Sequence, residues 1–280
     1  DPPEEIQCLG GAFAAGIAKS ADNITSSGNT GKIQMSYKLK NIDGVELAGV
    51  VNIVSKANKC YNKGAVTYSG RPMREETQSG TGGVFTQFKD IITQCYNKGK
   101  VSDKSDKRMT SGHDMGGVAA FSNSTAAGVT NCYNTGTISS RKGGRVGGVV
   151  GYYDGGWKAK GQKEEPRVKY NYNVGKIKAY KKSYIWGSVV GYCGDLLIMQ
   201  DKHAVFDNYS TGSYSLYGTG PSSKKLNPLG KKVSRITKAN CPKLSSKYWV
   251  YSKKVKRLVL KNNNETKSVK KTKKKKTSKK

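Results

Sequence analysis

Short apolar runs alternate with turns rich in glycine and asparagine along most of this chain, and the alternation repeats. One half of the repeat reads Cys-Tyr-Asn-x-Gly-x followed by valine or isoleucine, as in residues 132–138. The other half is a glycine pair followed by small apolar residues, as in residues 147–152, GGVVGY. The two halves follow one another in strict order, and a fixed order with a fixed period is the signature of a repeat protein.

The repeat has a period of 35 to 39 residues, read from the spacing of its tyrosines. We take two columns as structural repeat positions, one of tyrosines and one of glycines. They are Tyr61, Tyr96, Tyr133, Tyr172 and Tyr209, and Gly64, Gly99, Gly136, Gly175 and Gly212.

Each repeat has room for three short strands, which in the copy around Tyr133 are residues 116–121, 129–133 and 136–139. Asn-x-Gly between the last two suits a corner, and we expect its glycine to adopt a positive φ. Three strands and their turns make one coil of a β-solenoid, with coils ~4.8 Å apart. We therefore predict an all-β fold, a single-stranded right-handed parallel β-helix of about five to six coils, in which identical residues form ladders.

Three of the six cysteines, Cys60, Cys95 and Cys132, occupy one repeat column, and Asn171 and Asn208 replace cysteine in later copies. Parallel side chains in neighbouring coils would strain a disulfide. We expect these thiols to be unpaired and inward-facing. The two asparagines should then bond to backbone, because a buried amide without partners is costly.

The repeats divide the chain into four parts. Residues 1–47 are a degenerate N-terminal repeat or cap, and residues 48–217 are the β-solenoid repeats. Residues 218–260 are a linker and a capping element over the C-terminal end. Residues 261–280, with ten lysines and one glutamate, are predicted to be a disordered tail.

The formal charge of +31, from 50 lysines and arginines against 19 acids, predicts attraction to polyanions. The partners we expect are anionic polymers such as a wall polymer or a host glycan. Nucleic acid is expected only as a non-specific partner, because its recognition motifs are absent. No apolar run is long enough to span a membrane. The chain is expected to be a monomer or part of a longer chain.

The alternation of residues 131–138 with residues 147–152 resembles the GLUG-type repeats of bacterial surface proteins. The resemblance covers roughly residues 45 to 215. The departures from its pattern are valine or phenylalanine in place of the usual leucine, and asparagine at two cysteine positions. The resemblance implies a parallel β-helix located at the cell surface or outside the cell, and it implies no catalytic residues.

Few groups suggest catalysis, so we expect neither an enzyme nor a cofactor. The histidines His113 and His203 lack partners in a recognisable motif, and the acid pairs at residues 75–76 and 164–165 lie in basic segments. Exposed aromatic and basic side chains beside the long insertion are the predicted ligand contacts: Tyr153, Trp157, Lys158, Lys160 and Lys163. The tyrosine column is read as a structural ladder rather than as a stacking platform for sugars or bases.

The function predicted from the sequence is a non-enzymatic surface or secreted repeat module for adhesion, ligand binding or spacing. Two alternatives remain open. One is a carbohydrate-active β-helix enzyme of the lyase or hydrolase kind. The other is a polyanion-binding protein whose basic surface is its function.

Overall fold

The computed structural model describes residues 11–37, 44–70, 79–105, 113–124, 126–141, 144–154, 167–178, 186–193, 205–212 and 230–261. Every element in these ranges is a β-strand, and the strands belong to four parallel sheets and one antiparallel hairpin. Consecutive repeats supply consecutive strands of each parallel sheet, so the chain is a β-solenoid. The prediction of an all-β parallel solenoid is therefore confirmed.

Along the chain, a strand of sheet D ends each repeat and a strand of sheet A begins the next one. The six strands of sheet A are Ala12–Ala15, Val45–Ala48, Ser79–Gly82, His113–Gly116, Val146–Gly147 and Trp186–Gly187. The five strands of sheet D are Ile33–Tyr37, Val66–Gly70, Val101–Asp103, Ile138–Ser140 and Ile177–Lys178.

Sheet B begins with two long strands, Ala18–Thr25 and Val51–Asn58, and later coils split this strand in two. The first row of its shorter strands is Phe85–Phe88, Ala119–Ser122, Val150–Tyr153 and Val190–Cys193. The second row is Ile91–Thr93, Gly128–Thr130, Val168–Lys169 and Val205–Phe206.

Sheet C carries the tyrosine half of the repeat. Its seven strands are Gly28–Asn29, Tyr61–Asn62, Tyr96–Asn97, Tyr133–Asn134, Tyr172–Asn173, Asn208–Ser210 and Gly230–Lys232. The antiparallel hairpin pairs Trp249–Ser252 with Arg257–Leu260.

The predicted three strands per repeat are wrong, because two of them are interrupted by corners. A Cβ on Gly116 would lie 1.7 Å from the carbonyl oxygen of Ala119, so the chain turns sharply at the glycine pair. Asn131 has a φ of 52° and ends the next strand before sheet C begins. Each of these turns divides a predicted strand between two sheets.

The valines that follow the glycine pair, or its counterpart in each repeat, form a buried column in the interior. Backbone hydrogen bonds connect Val50 to Val84, Val84 to Val118, Val118 to Val149 and Val149 to Val189, so these residues stack coil on coil. All five are fully buried and belong to one apolar cluster with the cysteine column. Burial of each such side chain contributes about 1.5–3 kcal/mol.

The predicted positive φ at the repeat glycines is wrong. Among the described residues, Gly144 is the one glycine with a positive φ. Glycine is required at Gly99 by a close approach instead, since an added Cβ would lie 1.8 Å from the carbonyl oxygen of Gly64 in the coil before. The same holds for Gly136, at 1.9 Å from the carbonyl oxygen of Gly99.

Positive φ values fall instead on the residue before the cysteine column. The six residues are Ser26, Lys59, Gln94, Asn131, Tyr170 and Asp207, with φ between 50° and 61°. A left-handed conformation costs a non-glycine residue about 1–2 kcal/mol, less for asparagine and aspartate. The surrounding stack offsets this cost in every coil.

Candidate polyanion-binding surface

The corner between sheets C and D is built on a ladder of asparagines. The side-chain Nδ2 of Asn97 donates to the carbonyl of Gly99 at 2.8 Å, and its Oδ1 accepts from the Gly99 N–H at 3.1 Å. The motif Asn-x-Gly therefore closes a small ring that fixes the corner. Each of the other ladder members bonds in the same way to its own glycine: Asn29, Asn62, Asn134 and Asn173.

The asparagines also bond to one another across the coils. Asn29 Nδ2 donates to Asn62 Oδ1 at 2.9 Å, and Asn62 donates in turn to Asn97 at 2.8 Å. The chain continues from Asn97 to Asn134 and from Asn134 to Asn173, at 2.9 Å each. The corner is thus held in the same geometry through successive coils, and residues flanking each asparagine and glycine form straight columns on the surface.

Lysines occupy five positions in these two columns, and the coil of Asn134 has threonine at both of its positions, Thr135 and Thr137. The corner row, as we name it, consists of Lys32, Lys63, Lys98, Lys100 and Lys176. All are exposed except Lys98, which is half-buried. The sequence signal is present in the two variable positions of Asn-x-Gly-x, but the sequence analysis placed the basic ligand contacts at the long insertion, on Lys158, Lys160 and Lys163, and did not single out these positions.

The register places the corner row along the solenoid axis. The N–H of Val66 donates to the carbonyl of Lys100, and the N–H of Lys63 donates to the carbonyl of Asn29 in the coil before. Neighbouring coils lie ~4.8 Å apart, so a row that extends from the coil of Lys32 to that of Lys176 spans about 20 Å.

Most acidic side chains in the described ranges are buried or half-buried. Among the residues that the structure describes, Asp22 is the one exposed acid, whereas Asp103 and Asp114 are fully buried. The ion pairs found in the described ranges are Lys56 with Asp90 at 3.3 Å and Arg145 with Asp114. The corner motif itself contains no acid in any copy. Lys32, Lys63, Lys100 and Lys176 therefore form no ion pair with any acid of the described residues.

The tyrosine column forms a stacked ladder, as predicted. Rings of Tyr61 and Tyr96 lie 5.4 Å apart, those of Tyr96 and Tyr133 5.1 Å, and those of Tyr133 and Tyr172 4.9 Å, all within 15° of parallel. A Cβ on Gly28 would lie 2.2 Å from the Tyr61 ring, so both faces of that ring are covered. The ladder therefore has no free ring face in this region on which a base or sugar could stack.

The C-terminal segment, residues 230–261, covers the tyrosine ladder. Trp249 contacts the rings of Tyr133 and Tyr172 at 5.9 and 5.2 Å, and its Nε1 donates to Asn131 Oδ1 at 3.1 Å. The Tyr172 hydroxyl donates to the Leu258 carbonyl at 2.7 Å. The hairpin packs on the side of sheet C, and residues 230–232 extend that sheet by one strand. The sequence predicted a capping element over the C-terminal end, and the hairpin of this segment contacts the tyrosine ladder along sheet C.

The predicted ligand contact Tyr153 is not exposed. Its side chain is fully buried and its hydroxyl donates to the carbonyl of Ala127 at 2.8 Å. Burial raises the pKa of Tyr153 well above its ordinary value. The prediction of an exposed Tyr153 is therefore wrong. Trp157, Lys158, Lys160 and Lys163 lie outside the described residues, as do the acid pairs at 75–76 and 164–165, His203 and residues 262–280.

The cysteine column is confirmed as buried and unpaired. Cys60, Cys95 and Cys132 are free thiols with no exposed surface. Burial, together with a hydrogen bond to the thiol of Cys132, raises the pKa of Cys95. Asn171 and Asn208 take the same position and donate to the backbone carbonyls of Val129 and Val168, at 2.9 and 2.8 Å. The predicted backbone bonds of these amides are therefore confirmed.

The one histidine within the described ranges lies in the interior. His113 Nε2 lies 3.1 Å from the hydroxyl of Thr81, and its ring is 5.6 Å from that of Tyr68. Burial lowers the pKa of His113, and the nearby carboxylate of Asp103 opposes this effect. The side chain has no exposed surface, so a substrate in solution cannot contact the imidazole ring in this structure.

Neither a metal-binding cluster nor a membrane-spanning helix is present in the described part of the chain. No group of three or more His, Cys, Asp or Glu side chains there could hold a metal ion. The same residues contain no helix of the length and apolarity needed to cross a membrane.

Comparison with known proteins gives no relative from which a function could be carried over. No protein-family model, no curated protein and no solved structure matches this chain.

Proposed function

We propose that this chain is a non-enzymatic repeat module of the GLUG type, at a bacterial cell surface or secreted, that binds linear anionic polymers along its corner row. The supporting observation is the corner row itself, five lysines in the two columns beside a rigid asparagine ladder whose Asn-x-Gly-x motif contains no acid. In this proposal the solenoid is right-handed, has five to six coils and is closed by its C-terminal segment.

An array of cations that extends along the solenoid suits a polymer better than a compact ligand. Each lysine near an anionic group releases about one condensed counterion, so affinity grows with the number of coils in contact and falls steeply with salt. Because the ladder fixes the corner, the lysine stems are presented from two columns on either side of the repeat glycine. A small anion would contact one or two of them, whereas an extended chain of ~20 Å contacts them all.

The proposal is tested with a triple variant of three central row members, Lys63→Gln, Lys98→Gln and Lys100→Gln. Inorganic polyphosphate serves as the linear probe, and binding is measured over a range of salt concentrations. The slope of log affinity against log salt should become shallower by about 2 to 3, since each lost contact contributes about 0.7–0.9.

The matched control removes the same charge away from the corner, with Lys19→Gln and Lys56→Gln in sheet B and Lys89→Gln directly after its strand Phe85–Phe88. This variant should keep most of the slope, because its lysines lie away from the corner. Equal losses in the two variants would show that the overall charge of +31 binds the probe without a defined site.

A further inference from the structure

The hairpin at 249–260 carries a second charged surface, distinct from the corner row. Residues 230–261 contain eleven lysines and arginines and no acid. The four-residue connection of the hairpin, 253–256, holds three exposed lysines: Lys253, Lys254 and Lys256. In the described residues none of these three takes part in an ion pair.

Exposed apolar side chains accompany these lysines. Four large hydrophobic residues are exposed in the described part of the chain, and two of them, Val250 and Tyr251, are adjacent in the first hairpin strand. Their exposed fractions are 36% and 48%. Tyr251 lies two residues before the first of the three lysines, so apolar and cationic groups share one end of the hairpin.

The hairpin is fixed to the solenoid rather than free. Trp249 donates a hydrogen bond to Asn131 and contacts the tyrosine ladder, and the carbonyl of Leu258 accepts a hydrogen bond from the hydroxyl of Tyr172. Leu258 and Leu260 of the second strand are buried in the cluster that also contains the ladder. Neighbouring side chains of a strand point to opposite faces, so Val250 and Tyr251 lie on the two sides of the hairpin, with Tyr251 on the face of the anchoring Trp249. Both remain exposed although the hairpin is anchored.

We propose that this end of the hairpin docks on the surface of an anionic lipid bilayer. Lysines close to an anionic leaflet contribute about a factor of five each to partitioning. Tyrosine favours the interface between headgroups and acyl chains, and an aliphatic side chain such as Val250 gains from acyl chains. A soluble polyanion would engage the lysines but would offer nothing to Val250, which favours lipid as the partner.

The test measures co-sedimentation of the full chain with phosphatidylcholine vesicles, with and without phosphatidylglycerol. One variant carries Lys253→Gln, Lys254→Gln and Lys256→Gln, and a second carries Val250→Ser and Tyr251→Ser. The first should lower partitioning into anionic vesicles roughly 100-fold. The second should lower it by roughly tenfold while binding polyphosphate as the unaltered chain does.

Matched controls separate this inference from the proposed function. The triple corner-row variant removes the same charge and should retain much more of its vesicle binding than the Lys253, Lys254 and Lys256 variant. Ile17→Ser, at another exposed apolar position, should leave vesicle binding unchanged. Thermal melting of each variant checks that the fold is intact. Unchanged partitioning of the Val250 and Tyr251 variant, or equal losses from corner and hairpin lysines, would overturn the inference.

Discussion

The asparagine ladder should contribute a large share of the solenoid's stability, and Asn134→Ala tests it. Asn134 makes four buried hydrogen bonds, two with the backbone of Gly136 and one each with Asn97 and Asn173. Alanine removes all four and leaves the N–H and carbonyl of Gly136 without the amide. It also leaves a void against Gly117, whose added Cβ would lie 2.4 Å from the Asn134 Cγ.

The size of the effect follows from the groups left behind. A buried polar group without its partner costs about 1–3 kcal/mol, and two backbone groups lose theirs here. The weakened bonding of Asn97 and Asn173 adds to this, so we expect a loss of about 4 kcal/mol. A loss of that size lowers the melting temperature by roughly 10 °C in a domain of this size.

Two further variants calibrate the result. Asn29→Ala removes the same side chain in the first coil, where it is only half-buried, and should cost about 1 kcal/mol. Asn134→Ser should fall between, because Ser210 occupies the ladder position in a later coil and still accepts the Gly212 N–H at 3.0 Å. Urea unfolding followed by tryptophan fluorescence gives the three values. If Asn134→Ala costs no more than Asn29→Ala, the ladder is not a source of stability.

Three other predictions follow from the same contacts. Gly136→Ala should destabilise by several kcal/mol because its Cβ meets a carbonyl at 1.9 Å, whereas Gly31→Ala, with its nearest atom at 3.5 Å, should change the melting temperature little. His113 is buried and its pKa is lowered, so below about pH 6.5 the unfolded chain binds more protons than the folded chain, and stability should fall as the pH falls. His113→Gln should flatten this dependence of the melting temperature on pH. An unchanged slope would assign the dependence to other groups. Cys132 should react with a thiol reagent only at the rate of unfolding, and fast labelling of the native chain would contradict its burial.

The sequence was sufficient to predict the class of fold because a repeat must place like residues in neighbouring coils. Tyr96 pairs in register with Tyr61 on one side and Tyr133 on the other, as the shared column requires. The inward position of Cys95 was predicted from the cysteine column in the same way. A small apolar thiol and an asparagine amide bonded to backbone can replace one another at that position, as Asn171 and Asn208 do. These are local and periodic properties that the order of residues encodes directly.

The reason for each repeat glycine could not be read from the sequence. Glycine is favoured both by a positive φ and by a close approach of backbone, and the two leave the same letter in the chain. Gly136 is there for the close approach, while the left-handed conformation falls on Asn131 and on residues as different as Lys59 and Gln94. Only the packing of one coil on the next distinguishes these causes.

The position of the C-terminal segment depended on tertiary structure alone. Trp249 bonds to Asn131, a residue 118 positions earlier, and no periodic pattern connects the two. No periodic pattern predicts the burial of Tyr153 either, whose hydroxyl donates a hydrogen bond to the carbonyl of Ala127. A repeat determines which residues align between coils, because alignment needs only the period. Which side of the stack a non-repeating segment covers depends on exposed apolar area elsewhere in the fold, and that exists only once the coils have assembled.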